Sequence, residues 1–180
     1  RSLGYCYLYA RRYDPARYHL DRAIAMNPVA EESHRIQGLI LTFAGDFAGA
    51  ERVLREALSL APPNGATTKA TLAYSLARAG DQTYARAVAA EFERRMQTEY
   101  ISPVDLTMVQ LGLGNRDAAL DWIDRSIAER RGWAAYLRVH PLVDELRGDP
   151  RFEALVAKMT FDAPAAPPIA VPPSLALPPV

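Results

Sequence analysis

Lysine is nearly missing from this chain: Lys69 and Lys158 are the only two in 180 residues, and arginine carries the rest of the positive charge. Lysine plus arginine and aspartate plus glutamate both number 21. With no excess of either sign, the chain has no electrostatic footprint for a phosphate backbone or an anionic membrane surface. Cysteine occurs once, at Cys6, which excludes an intrachain disulfide and a cysteine metal site. Inside a helical pattern it reads as a small buried residue. No apolar run is long enough to span a bilayer. His19, His34 and His140 fall on separate elements, with no HExxH pair and no other ligand spacing. Gly112-Leu113-Gly114 imitates the start of a dinucleotide fingerprint, but it follows a helical pattern and lacks the third glycine. Acidic pairs such as Glu31-Glu32 lie on polar helix faces. No metal, cofactor or enzymatic activity is therefore expected. Opening at Arg1, without methionine and inside a helical pattern, the chain reads as a fragment, so the lack of a leader says nothing about compartment.

What the chain has is a repeated unit, clearest from Gly38 to Pro62. Leu39, Leu41 and Phe43 precede a Gly45-Asp46 break, and Ala50, Val53, Leu54, Ala57 and Leu58 follow it at helical spacing. Gly45 suits the left-handed residue that ends a helix, Asp46 can cap the next one, and Pro62 stops it. The break glycine recurs as Gly45, Gly80 and Gly114. The small residue after it recurs as Ala16, Ala50, Ala85 and Ala119, at steps of 34, 35 and 34 residues. A shared register across four copies predicts an all-α array of helical hairpins. Pro62-Pro63-Asn64-Gly65 reads as the turn that supplies the extra residue of the middle step.

The copies differ in quality. The first offers Gly4, Tyr7, Ala16, Leu20, Ala23 and Pro28, and the second Gly38, Leu41, Ala50, Leu54, Ala57 and Pro62. The third carries Phe92 where a small residue is usual. The fourth has Thr107 in place of the small residue of its first helix and no closing proline. Small residues are needed where the two helices of a hairpin cross closely, because overpacking there costs roughly 1 to 3 kcal/mol. Start signals are expected at Asp14-Pro15, at Asn27-Pro28, at Asp81, and at Ser102-Pro103 with Asp105 closing a capping box. Along the last repeat helix, Asp117, Asp121, Asp124 and Glu129 alternate with arginines and read as a solvated face with spaced ion pairs.

A period near 34 with two helices per unit, small residues at those positions and a closing proline resembles the tetratricopeptide repeat. The resemblance implies an α-solenoid of about four stacked hairpins, residues 1–132, divided near 1–30, 31–65, 66–99 and 100–132. Residues 133–160 then read as capping helices, with Trp133, Tyr136, Leu137, Leu142, Leu146, Phe152, Leu155 and Val156 covering the apolar end of the array. This block and the preceding LGLGNRDAALDWID are similar to the C-terminal end of one bacterial tetratricopeptide group. In that group the repeats often follow a winged-helix, protein kinase or nucleotide cyclase domain. Residues 161–180, with seven prolines, five alanines and Asp162 as the one charge, read as a disordered tail that samples polyproline II.

In the tetratricopeptide architecture the first helices of successive repeats line a concave groove. The family's groove positions fall here on Tyr5, Tyr9, Arg35, Leu39, Phe43, Tyr74, Arg78, Val104, Met108 and Leu111. Leu39, Val104, Met108 and Leu111 could equally pack between helices, whereas Tyr5, Tyr9 and Tyr74 suit an exposed interface. The lysines and asparagines of the family's carboxylate clamp are absent from these positions. Three readings follow: a groove for a peptide or segment of another protein, the regulatory array of a larger signalling protein, or a structural array whose Pro-rich tail docks in its own or a neighbouring groove. The lack of disulfides and the resemblance favour bacterial cytoplasm. Neither nucleic acid nor membrane is an expected direct partner.

Overall fold

The computed structural model describes residues 1–159, so the Pro-rich tail, and any docking by it, lies outside the described residues. Eight helices form four successive hairpins: α1 (Ser2–Tyr9) with α2 (Tyr13–Met26), α3 (Glu31–Phe43) with α4 (Phe47–Leu60), α5 (Ala66–Arg78) with α6 (Thr83–Arg95), and α7 (Pro103–Gly112) with α8 (Arg116–Ala128). Two short 3-10 helices, Gly132–Tyr136 and Pro141–Leu146, lead to α9 (Pro150–Ala157). Each helix packs on the next in the chain as an antiparallel neighbour, the arrangement of a helical repeat array. In addition α5 packs directly on both α3 and α7, and no pair of even-numbered helices does so to a comparable extent. Helices α3, α5 and α7 therefore form the tighter, inner layer.

The hairpins close where the sequence places its small residues. A Cβ added at Gly38 would stand 2.3 Å from Leu54 Cγ, and one added at Gly4 would stand 1.8 Å from Leu20 Cδ2. Both glycines thus let a leucine of the second helix press onto the backbone of the first. In the third hairpin the large and small residues change places. Ala89 stands where the other copies have Leu20, Leu54 and Ile123, and the fully buried Phe92 stands where they have Ala23 and Ala57. The apparent irregularity at Phe92 thus comes with a compensating small neighbour in the same helix.

The turns follow one backbone solution with one substitution. Gly45 has φ +83°, and the residue one repeat earlier, Arg11, takes the same left-handed region at φ +56°. A side chain there costs about 1 to 2 kcal/mol, and Arg11 offsets this by bonding to a distant part of the chain. Caps are mixed. Asp46 accepts from the Gly49 amide, Asp81 from the Thr83 amide and Asp149 from the Arg151 amide, each at 2.8 or 2.9 Å. By contrast Asp14 lies inside the first turn of α2, Asn27 precedes α3 by several residues, and Ser102 makes no side-chain cap bond. Asp105 forms no capping box, because its carboxylate is buried and accepts instead from Thr67 of α5.

The segment after α8 departs from the expected end cap in its first half. Residues 132–146 fold back across the inner layer instead of covering only the end of the array. The Tyr136 ring stacks on Tyr9 of α1 at 5.0 Å, His140 meets Phe43 of α3 at 6.3 Å, and Glu145 accepts from Arg78 of α5 at 3.2 Å. Arg11 donates to Asp144 at 2.6 Å and to the Val139 carbonyl at 3.2 Å. Leu137, Leu142, Val143 and Leu146 are buried within the main core.

Only α9 behaves as a terminal cover. Arg151 bonds Asp117 at 2.9 Å and Asp121 at 2.7 Å, and Lys158 bonds Asp124 at 2.8 Å. The acidic row of α8 is a solvated face with spaced ion pairs, as expected, and three of its carboxylates pair with α9. Cys6, expected in the core, is exposed.

Gly38→Ala is expected to destabilise the protein by about 1 to 3 kcal/mol through this overpacking. In a Leu54→Ala background, where the obstructing branch is gone, the same change should cost little. Urea unfolding of the four proteins measures the coupling, and additive effects would contradict the contact.

Candidate binding cavity on the inner face

Nine of the ten groove positions divide into two groups, and the tenth, Leu111, is buried outside both. Tyr5, Tyr9, Arg35, Leu39, Val104 and Met108 line one cavity of about 530 Å³, between α1, α3, α5, α7 and the returning segment. Phe43, Tyr74 and Arg78 do not. They lie beside the returning segment, with Phe43 and Tyr74 rings 6.1 Å apart and Arg78 held by Glu145. Tyr74 is only 3% exposed, so it belongs to the core and not to an accessible interface. Leu39, Met108 and Leu111 are buried as well, whereas Tyr5, Tyr9 and Val104 are half-buried.

The remaining walls come from residues that groove positions alone would not select. Ser2 and Cys6 belong to α1, Thr67 to α5, and Trp133, Tyr136, His140 and Leu142 to the returning segment. Periodicity selects only the repeat helices. The aromatic and apolar residues of 133–142 were visible in the sequence as residues to be buried, but not the surface that buries them.

The polar groups of the cavity are mostly donors. Arg35 keeps its side chain 15% exposed and meets Glu31 at 3.5 Å and Glu32 at 3.9 Å, both longer than a good charge-assisted bond. His140 Nδ1 accepts the Leu142 amide at 3.0 Å, so the neutral ring carries its proton on Nε2. Burial raises the Tyr5 and Tyr9 phenols above their ordinary value and keeps them neutral. Among the described residues no carboxylate lines the cavity.

Asp105 stands behind it, 2% exposed, with Oδ2 accepting from Thr67 at 3.2 Å and Oδ1 without a partner among the described residues. Among those residues no group of three or more His, Cys, Asp or Glu could hold a metal, and no helix is long and apolar enough to cross a membrane. Comparison with protein-family models, with curated proteins and with solved structures finds no match.

Two buried groups give the fold opposite responses to acid. Burial raises the Asp105 carboxyl from 3.8 to about 6 against the pull of Thr67 and of Arg35, Arg131 and Arg95. Its ionisation therefore weakens the fold as pH rises through 6, and this cost is absent below about pH 4. Burial lowers the His140 imidazole from 6.5 to about 4, with Asp144 and Arg11 as opposing charges nearby. Its contribution is complete above pH 6.5 and is lost as pH falls through 4.

The two slopes oppose each other between about pH 4 and 6. Asp105→Asn should raise stability at pH 8 by about 1 to 3 kcal/mol, with little gain left at pH 4. It should also uncover a falling Tm between pH 6.5 and 4 that belongs to His140. A Tm profile with the native shape would contradict this pairing.

Proposed function

We propose that the chain is a tetratricopeptide-type array that acts as a non-enzymatic binding module within a larger bacterial protein. It takes a segment of a partner protein on its inner face and anchors one apolar or aromatic side chain in the cavity. The observation that carries this reading is the convergence of six groove positions, on three helices of separate hairpins, around one opening. Half-buried Tyr5 and Tyr9 supply flat faces with polar tips, a combination enriched where proteins bind one another. Because residues 132–146 occupy the Phe43–Tyr74–Arg78 end of the face, the partner segment is short and engages one pocket rather than the whole length of a groove. The repeat register supports the tetratricopeptide assignment, and the balanced charge fits a protein partner better than a nucleic acid.

The test is a peptide-display selection on the full chain, with a Val104→Trp variant, in which the cavity is filled, as the counter-target. Enrichment of peptides sharing an apolar or aromatic anchor, with binding lost in Val104→Trp and in Tyr9→Ala, is the expected result. Failure to enrich any family of peptides, or peptides that bind Val104→Trp equally well, would remove the proposal.

A further inference from the structure

We propose that the same cavity is a site for a small amphipathic carboxylic acid, its apolar body between the aromatic walls and its carboxylate at Arg35. This goes beyond the partner-segment reading and does not depend on it. At about 530 Å³ the cavity falls within the ~300 to 1,000 Å³ range of small-molecule sites. Its walls suit a flat or chain-like body: Tyr9 and Tyr136 stack on each other, and Leu39, Met108 and Leu142 supply aliphatic surface.

The polar lining decides the charge. Among the described residues that line it, Arg35 is the one cation and none is a carboxylate, and His140 carries its proton on Nε2 because Nδ1 is used by the Leu142 amide. Arg35 also has capacity to spare, since Glu31 and Glu32 hold it only at 3.5 and 3.9 Å. A bound anion can therefore gain bidentate contacts that the protein itself does not complete. Asp105 lies behind Thr67, out of the lining, so it does not meet the ligand directly. Among the described lining residues a cationic ligand would meet Arg35 and no carboxylate, Glu31 and Glu32 reaching Arg35 from outside the lining, and a purely apolar ligand would leave the arginine without a new partner.

Isothermal titration of the full chain with 1-naphthaleneacetic acid and with decanoic acid, each beside its neutral amide, tests the assignment. The expected result is saturable one-to-one binding of at least one acid, at least tenfold tighter than its amide. Arg35→Gln should reduce that acid to the affinity of the amide while leaving the amide unchanged, and Val104→Trp should abolish both. Circular dichroism melting of each variant confirms that it is folded before binding is compared, and Arg35→Lys, which keeps the charge, should retain part of the preference. Equal affinity for acid and amide, an unchanged preference in Arg35→Gln, or no saturation by either acid at millimolar concentration would overturn the proposal. None of these outcomes depends on whether display selection yields a peptide.

Discussion

Burial of Leu137, Leu142, Val143 and Leu146 against the inner layer decides what the rest of this protein can do. Each such side chain contributes about 1.5 to 3 kcal/mol when taken out of water. The ion pairs that accompany them, Arg11 with Asp144 and Arg78 with Glu145, are exposed enough to contribute about 0 to 1 kcal/mol each. The apolar anchors therefore hold the returning segment, and the arginines fix its register. An array with a bare inner face could grip a long extended chain. In this one the returning segment packs over the Phe43–Tyr74 end, and a cavity stays open at the Tyr5–Met108 end.

The repeat geometry makes that closure possible. Because Gly4 and Gly38 admit leucines at the hairpin crossings, the paired helices lie close, and α3, α5 and α7 come together in one layer. Contacts between α3 and α5 then include a buried Thr42–Ser75 hydrogen bond of 2.8 Å, which leaves few polar groups unsatisfied between repeats. Arg11 links the two levels of organisation. It occupies the turn position that glycine holds in later copies, and the same side chain reaches Val139 and Asp144.

The hairpins were legible in the sequence because their signals are local. The glycine at each break, the small residue after it and the leucine it faces lie within a few tens of residues, so spacing alone reveals them. Helices Glu31–Phe43 and Phe47–Leu60 flank the Gly45-Asp46 break where the sequence places it. The return of residues 132–146 was not legible. It joins Arg11 to Asp144 across more than a hundred residues, and no periodicity marks such a contact. An end cap and an inner-face filling bury the same leucines, so composition cannot separate them.

Two errors at individual residues share this origin. Tyr74 was expected to be exposed because nothing local indicates the segment packed beside it. Asp105 was expected to close a capping box because Thr67, which bonds it, belongs to another repeat.

The central claim is that the chain fills one end of its own inner face. Nuclear Overhauser spectroscopy on the full chain, with selectively labelled aromatic residues, tests it most directly. The account predicts cross-peaks between the ring protons of Tyr9 and Tyr136, whose centroids are 5.0 Å apart, and between those of Tyr9 and His140, at 5.4 Å. Absence of both sets, with Tyr136 and His140 showing the narrow lines of a solvated segment, would mean that the inner face is open and the account is wrong.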